Sequence, residues 1–452
     1  MTIEEFARAW RARTITSEDE TERCLDVIRA RNDGLKAFTL VMTDSARQQA
    51  RQADRDLAAG LDRGPLHGVP LSVKDLIDVR GTVTTAASAV RQNAPAAPAD
   101  APAIARLRAA GAVFVGKTNL HEFALGTTSE DSAFGAVKNP LDPTRSAGGS
   151  SGGSAVSVRT GMALGSVGTD TGGSIRIPAA ACGIVGLKPS LGEVDTAGVI
   201  PLSPRLDHVG PLAQSVGDAW ILLNILAGEP HPAPRSQAMP AEIRLKLLRP
   251  YFCDLMDIDV ADAFDAALET LRRAGVNVSN GSITHAYATA AVYLKIAPRE
   301  AFRQHQPTLD AVPEKYTTAV RQRLELGRTI SDEEFVQALD VQAVLRDEVN
   351  ATLADCDALV LPTLPIPAPI LGADTVRIGH LQEPVRSMTL RNTQLFNLTG
   401  HPAISLPCGT TSDGLPVGLQ LVGAQGRTDA LVRIALGCEL LLKSRGAASP
   451  NA

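Results

Sequence analysis

Residues 146–154 read SAGGSSGGS, and the interpretation of the whole chain depends on what this run of small residues does. Gly/Ser-rich chains often act as flexible linkers between domains. This run, however, lies within an apolar stretch and has no polar flanks, since AVSV follows directly. Glycine has no Cβ, so a glycine-rich run also lets the backbone turn tightly against another group. From these residues alone, the run is either a tether or a tight turn.

A second glycine-rich segment, GTDTGGSIRIPA at 168–179, also surrounds a serine, Ser174. Successive N–H groups in such a turn can converge on one point, which is what an oxyanion hole requires. The candidate donors are the backbone amides of Thr171, Gly172, Gly173 and Ser174. A serine that acts as a nucleophile also needs a base.

The base predicted for this serine is Lys74, in GVPLSVKD at 68–75. Lys74 ends an apolar, strand-like run and shares a strand face with Ser72, because alternate strand residues point the same way. Only a neutral lysine can act as a base, and about one in 2,500 is neutral at pH 7 when the pKa is about 10.4. Burial can lower a lysine pKa by about 3–5 units. None of the 8 histidines lies in a triad motif, and His208 is interpreted as a packed residue.

Three segments together resemble the amidase signature family. They are GVPLSVKD (68–75), GGSSGGS (148–154) and GTDTGGSIRIPAAACGIVGLKPS (168–190). HPAISLPCG at 401–409 and LPVGLQLVGA at 415–424 extend the similarity toward the C-terminus. The resemblance implies an α/β fold in which helices surround a large mixed sheet of about eleven strands.

The resemblance also implies a Ser–Ser–Lys triad. Carried over to this sequence, Ser174 is the nucleophile and Ser150 connects it to Lys74. The family pattern places a cis peptide bond at Gly149–Ser150. Residues 146–154 are then scaffolding around an active site, not a tether. Asp170 and Arg176 flank the nucleophile, and we expect them to order the oxyanion loop.

The chain is expected to form a single domain over 1–452, because strand-like segments from both ends of the chain feed one sheet. Its expected parts are an N-terminal helical part (1–60), a catalytic core (61–228), a helical cap (241–350) and C-terminal strands and helix that complete the core (351–444). The Pro-rich stretch EPHPAPRSQAMP at 229–240 is the candidate boundary.

The segment GAVFVGKT at 111–118 matches the phosphate-binding loop pattern G-x-x-x-x-G-K-[ST]. A phosphate cradle needs the residues between the glycines in a loop, with their N–H groups turned inward. Here these residues are Ala, Val, Phe and Val, which favour a buried strand. We therefore predict a strand and no nucleotide site.

The composition excludes several classes of protein. The net charge is −5 and the sequence has no Lys/Arg-rich run, so neither nucleic-acid binding nor a basic membrane patch is predicted. No apolar stretch is long enough to span a membrane, and the N-terminus does not resemble a signal peptide. The 6 cysteines are scattered, which predicts no metal site and a reduced, cytoplasmic protein. No cofactor is expected.

The favoured function is a serine amidohydrolase that cleaves small, mostly neutral amides or carbamates, including aryl-substituted ones. The expected partner is the small-molecule substrate, without nucleic acid or membrane, and the expected assembly is a homodimer. The candidate substrate-binding residues are Leu125, Gly126, Thr127, Thr128 and Gln394.

Two alternatives remain open. The first is the glutaminase (A) subunit of a glutamyl-tRNA amidotransferase, which EFALGTTSEDSAFGAVKNPLD at 122–142 resembles closely. That resemblance calls for an acidic group near 388–400 to hold the glutamine α-amino group, but MTLRNTQLFNLTG contains none. The second is an inactive family member that serves as a binding subunit, which the three intact triad positions disfavour.

Overall fold

A computed structural model of the chain describes residues 1–228 and 237–447, with the side chains of 445–447 left out. The strands are β1 (Phe38–Val41), β2 (Pro70–Lys74), β3 (Val113–Thr118), β4 (Gly165–Asp170), β5 (Val185–Lys188), β6 (His208–Ala213), β7 (Arg244–Leu248), β8 (Asn277–Gly281), β9 (Ala358–Pro362), β10 (Thr375–Ile378), β11 (Leu381–Pro384), β12 (Ala403–Thr410) and β13 (Pro416–Val422).

The α-helices are α1 (Ile3–Arg11), α2 (Ser17–Leu35), α3 (Thr43–Ala58), α4 (Pro102–Ala109), α5 (Gly152–Arg159), α6 (Arg176–Cys182), α7 (Val216–Ala227), α8 (Ile258–Arg273), α9 (Thr289–Ala311), α10 (Thr318–Thr329), α11 (Asp332–Leu353), α12 (Val385–Arg391), α13 (Gln394–Leu398) and α14 (Thr428–Ala447).

One 11-stranded mixed sheet runs through the described part of the chain, in the order β1-β3-β2-β4-β6-β5-β12-β13-β9-β7-β8. β2 pairs in parallel with both β3 and β4, whereas β4 and β6 are antiparallel. Strands from the C-terminal part join the N-terminal ones where β12 pairs with β5. The predicted fold class, a large mixed sheet with surrounding helices, is confirmed.

The segment that matched the phosphate-binding pattern forms β3. All six residues of Val113–Thr118 are buried. The prediction of a buried strand is therefore confirmed, and the last two residues of the pattern, Lys117 and Thr118, belong to the strand itself.

The segment expected to be a helical cap, 241–350, contains helices α8 to α11 but also two strands of the main sheet. β7 carries buried leucines at Leu245 and Leu247, an alternation typical of a strand. β8, of sequence NVSNG, has no buried residue and lies at the edge of the sheet. A polar edge strand lacks the apolar alternation that sequence reasoning relies on.

The run at 146–154 is a buried turn, and the peptide bond Gly149–Ser150 is cis, as the resemblance implied. A Cβ built on Gly149 would lie 2.8 Å from the backbone of Thr127 and Thr128. A Cβ on Gly153 would overlap the carbonyl oxygens of Ala37 and Asn119. These glycines are required because other backbone segments pack directly against them.

Three further expectations concern the rest of the chain. Among the described residues, no helix is both long and apolar enough to cross a membrane. All 6 cysteines are free thiols, and four of them are buried. Most of the Pro-rich candidate boundary, residues 229–236, lies outside the described residues.

Candidate active site

Lys74, the last residue of β2, is fully buried at 0% exposure. Its Nζ donates hydrogen bonds to Ser150 Oγ at 2.8 Å and to Thr169 Oγ1 at 2.7 Å. No carboxylate of the described residues forms an ion pair with it. Burial lowers the pKa of Lys74 to about 7, with Asp170 and Asp207 opposing the shift as more distant charges. A large fraction of this side chain is therefore neutral near pH 7.

The topology of the sheet brings these groups together. β2 and β4 are parallel neighbours, with Val73 opposite Val167, so Lys74 and Thr169 lie at the carboxyl ends of adjacent strands. The buried turn that precedes α5 delivers Ser150 to the same edge. In α/β sheets, this edge is where ligands commonly bind.

Ser174 lies beside the same turn. The Ser151 N–H donates to the Ser174 carbonyl oxygen at 3.2 Å, which ties the two serine-bearing loops together. Ser129 Oγ donates to the Ser150 carbonyl oxygen at 3.1 Å and holds the turn from its other side. The Ser174 side chain is 6% exposed and its hydroxyl makes no hydrogen bond within the described part of the chain. The three predicted catalytic groups are thus neighbours, but only the Lys74–Ser150 link is hydrogen-bonded here.

The predicted oxyanion loop connects β4 to α6. Gly173 has φ +138°, a backbone conformation that favours glycine, and a Cβ there would overlap Thr393. Thr393 Oγ1 donates to the Gly172 carbonyl oxygen at 2.6 Å and fixes the loop. In the described structure, the N–H groups of Gly172, Gly173 and Ser174 donate to no protein acceptor. They are free to bind an oxygen of a substrate.

A buried ion pair supports this loop. Arg176 Nη2 lies 2.9 Å from Asp170 Oδ1, and both side chains have 0% exposure. Asp170 Oδ2 also accepts from the Ile175 N–H at 3.0 Å. Burial alone would raise the pKa of Asp170, but Arg176 lowers it below its usual range. The ordering role expected for Asp170 and Arg176 agrees with these contacts.

The candidate substrate-binding residues lie around the two serine loops. The backbone of Thr127 and Thr128 packs on Gly149, directly before Ser150. Leu125 and Gly126 precede them on the same loop, and Gln394 opens α13 next to Thr393. The structure brings these positions to one side of the catalytic groups, and their contact with substrate stays a prediction.

Sequence reasoning missed Thr169, Tyr293 and Arg386. Thr169 is the second hydroxyl on Lys74, and its position at the end of an apolar strand was the one local signal that could have found it. A Cβ built on Gly172 would lie 2.5 Å from the Tyr293 hydroxyl, so this phenol sits against the oxyanion loop. Tyr293 and Arg386 belong to helices far away in sequence, and no local pattern marks either residue.

His208 is a packed residue, as predicted. Its Nε2 lies 3.2 Å from Lys188 Nζ and its Nδ1 lies 2.7 Å from the Leu206 carbonyl oxygen. Burial first, and then the Lys188 charge, lower the pKa of His208 well below its usual value. Within the described ranges, no group of three or more His, Cys, Asp or Glu side chains is arranged to hold a metal ion.

Comparison with known proteins identifies relatives along nearly the whole chain. A family model described as Amidase matches residues 19–432. The A subunit of glutamyl-tRNA(Gln) amidotransferase from Desulfatibacillum aliphaticivorans is 35% identical over 476 residues, covering 96% of this chain and 96% of that protein. A solved structure described as an amidase superposes with a TM-score of 0.92 at 38% identity, covering 98% of this chain and 100% of that chain. The structure of an s-triazine catabolic enzyme, described with a vestigial protein complex, superposes with a TM-score of 0.93 at 31% identity and 99% coverage of both chains.

These relatives correct one expectation and establish another. The expectation of small-molecule partners only, with no nucleic acid involved, is wrong: the curated relatives are subunits of enzymes named for a glutamyl-tRNA, at 33–38% identity. The chemistry common to the relatives is that of C–N hydrolases and amidotransferases. The chain belongs to the amidase family, the amidase signature enzymes that its three motifs resemble.

Proposed function

We propose that this protein hydrolyses an amide C–N bond through an acyl-enzyme on Ser174, with Ser150 and Lys74 as the proton relay. One observation carries the proposal: the Lys74 amine, fully buried and with a pKa of about 7, donates to Ser150 Oγ at 2.8 Å. An unperturbed lysine is short of the neutral form at pH 7 by roughly 4.6 kcal/mol. Burial at Lys74 removes most of that deficit.

In the proposed reaction, Lys74 takes a proton from Ser150 as Ser150 takes one from Ser174. The Ser174 oxygen then forms a bond to the amide carbon, and the resulting oxyanion is held by the free N–H groups of Gly172, Gly173 and Ser174. The proton returns to the leaving nitrogen as the C–N bond breaks. Water later attacks the ester and releases the acid. Rotation of the Ser174 hydroxyl toward Ser150 completes the relay, since catalytic hydrogen bonds often tighten only when substrate is bound.

On the substrate, the relatives favour the amidotransferase alternative over free-standing hydrolysis of small neutral amides or carbamates. Curated relatives that span over nine-tenths of the chain carry the name of the glutaminase-type (A) component of that enzyme. We infer that this chain provides the amide-hydrolysing component of such a complex and receives its substrate there. Hydrolysis of free small amides is the second candidate, supported by the 38% identity to a structure described as an amidase.

Labelling of the nucleophile tests the chemistry directly. We expect a fluorophosphonate to modify Ser174, and peptide mapping by mass spectrometry identifies the modified residue. The matched control is Ser154→Ala, because Ser154 is another buried serine of the glycine-rich run and hydrogen-bonds Thr118 rather than Lys74. Ser154→Ala should keep the label and Ser174→Ala should lose it. Modification of a different residue in the wild type would refute the assignment.

A substrate panel separates the two candidate settings. Ammonia release is measured from glutamine and from small amides, with the chain alone and with partner subunits of an amidotransferase added. Glutamine hydrolysis that rises when the partners are added supports the role within a complex. Turnover of small amides that is unaffected by the partners supports the free-standing hydrolase.

A further inference from the structure

Arg386 lies in α12, and other positions of this helix already contact the candidate active site. Leu390 packs on Gly172, since a Cβ built there would lie 3.0 Å from its side chain. Thr389 Oγ1 donates to Thr127 Oγ1 at 2.9 Å. Residues three and four positions apart share one helix face. Arg386 is therefore on the face that looks toward both the oxyanion loop and the loop at 125–128.

The charge of Arg386 also lies between these two loops. It acts electrostatically on Tyr293, whose hydroxyl sits against Gly172, and on His121, whose ring packs against Gly126. Two groups at opposite ends of the site thus both sense this guanidinium. Its position is consistent with a substrate that extends from Ser174 past the oxyanion loop.

Arg386 has no partner within the described structure. Its side chain is half-buried, yet it donates no hydrogen bond to any described group and forms no ion pair. Burial, followed by repulsion from Arg323, lowers the pKa of Arg386 to about 10, and Tyr293 opposes the shift slightly. No carboxylate contributes. A half-buried guanidinium without an acceptor is costly unless a ligand supplies one.

The carboxylates closest to this region are already used. Asp131 lies 3.6 Å from Arg323 Nη1 and 3.0 Å from His121 Nε2. Asp207 accepts from Thr171 Oγ1 at 2.6 Å, and Glu130 accepts from the Gly372 N–H at 3.1 Å. None of the three reaches Arg386, so its positive charge is not neutralised by the protein.

We propose that Arg386, assisted by the Tyr293 hydroxyl, binds a carboxylate of the substrate, so that the site takes amides whose acyl part is anionic. A guanidinium binds a carboxylate through paired N–H donors, which neither a lysine nor a neutral residue reproduces fully. The proposal rests on the proposed function for the place where the amide binds. It replaces the expectation of mostly neutral substrates with a substrate class that includes glutamine and the monoamides of dicarboxylic acids.

Binding to a protein that cannot turn over tests the proposal. Calorimetry on the Ser174→Ala chain compares amides that differ only by a carboxylate in place of a methyl group: malonamate with propionamide, succinamate with butyramide, and glutaramate with valeramide. We expect the best carboxylate amide to bind at least 10-fold more tightly than its neutral counterpart. A glutamine arm, compared with glutaramate, reports whether an additional α-ammonium is accepted.

Variants at α12 assign the preference to one residue. In the Ser174→Ala background, Arg386→Met should abolish the preference and Arg386→Lys should retain part of it. The control Arg391→Met removes the neighbouring arginine, which stacks on Tyr251 and donates to its carbonyl oxygen, and should leave the preference intact. Equal affinity for both members of every pair, or a preference that survives Arg386→Met and Arg386→Lys, overturns the proposal.

The two proposals fail in different ways. If the Ser174→Ala chain binds succinamate through Arg386 but the wild type releases no ammonia from any amide, the proposed hydrolysis is refuted and the carboxylate site stands. If the wild type hydrolyses butyramide and succinamate equally well, the hydrolysis stands and the carboxylate site is refuted.

Discussion

Two neighbouring parallel strands, β2 and β3, each place a buried lysine near the same edge of the sheet. Lys74 ends β2, and Lys117 lies opposite Val73 on β3. Both side chains have 0% exposure. Lys117 Nζ lies 2.8 Å from Asp75 Oδ1, whereas Lys74 Nζ has two hydroxyl oxygens as its hydrogen-bond acceptors. The two sites have equal burial and different acceptor chemistry.

This difference determines which lysine can act as a base. Burial lowers the pKa of both lysines, because the charged form loses its solvation. At Lys117, the adjacent Asp75 carboxylate opposes the effect of burial and favours the ammonium. At Lys74, the nearest acids act from a distance and the pKa falls to about 7. A buried lysine next to a carboxylate is a structural cation, and one next to hydroxyls is available for proton transfer.

The largest expected effect is on turnover, in Lys74→Met. Loss of a general base costs about 100- to 10,000-fold in rate, so we expect kcat to fall by about 1,000-fold or more. Methionine has a similar length and no charge, so the variant should stay folded. Lys117→Met is the matched control and should keep kcat per folded molecule within about 5-fold. A comparable loss of kcat in both variants would break the distinction between the two lysines.

The second expected effect is on stability, in Lys117→Met. This change leaves the Asp75 carboxylate buried without its cation, which costs about 3–5 kcal/mol of unfolding free energy. The hydroxyls of Thr39 and Thr85 still donate to Asp75, so the lower end of this range is expected. Thermal denaturation should show a clear decrease in Tm for Lys117→Met and none for Lys74→Met. The double variant Asp75→Asn/Lys117→Met should recover part of the loss, and a failure to recover would argue against the ion pair as its cause.

The third expected effect is on the pH profile. Protonated Lys74 is inactive, so kcat/KM for a neutral amide should rise about 10-fold per pH unit up to its pKa of about 7 and level off above it. Asp207→Asn distinguishes Lys74 from Asp207, whose own pKa is raised by burial to about 6. Removal of the Asp207 charge should move the limb to lower pH, because that charge raises the pKa of Lys74. Disappearance of the limb in Asp207→Asn would show that Lys74 is not the group that titrates.

The smallest expected effect is in Thr169→Val. The Thr169 hydroxyl accepts from Lys74 Nζ at 2.7 Å, and an acceptor favours the charged amine. Its removal should shift the limb of the pH profile to lower pH by less than about one unit and change the plateau by less than about 5-fold. Ser166→Ala, another hydroxyl of β4 that hydrogen-bonds Ser72, should not shift the limb. A shift to higher pH in Thr169→Val would contradict this account of the Lys74 environment.

Local sequence was enough to predict several elements of this protein. The apolar run in GAVFVGKT identified β3, and three motifs identified the family and the segments that meet at the candidate site. These features depend on residues that are close in the chain, such as the glycines that let other backbone segments approach the turn at 146–154. The edge strand β8 escaped prediction because its polar residues carry no apolar alternation.

By itself, the sequence determined the fold class, the family and the three residues that meet at the end of β2, because each is marked by a short motif. The tertiary structure alone decided the charge states of Lys74 and Lys117, because their acceptors and the surrounding burial come from other parts of the chain. It also decided that Arg386 faces the site without an acid. Ionisation and charge pairing depend on distances in space, and no local pattern in the chain contains those distances.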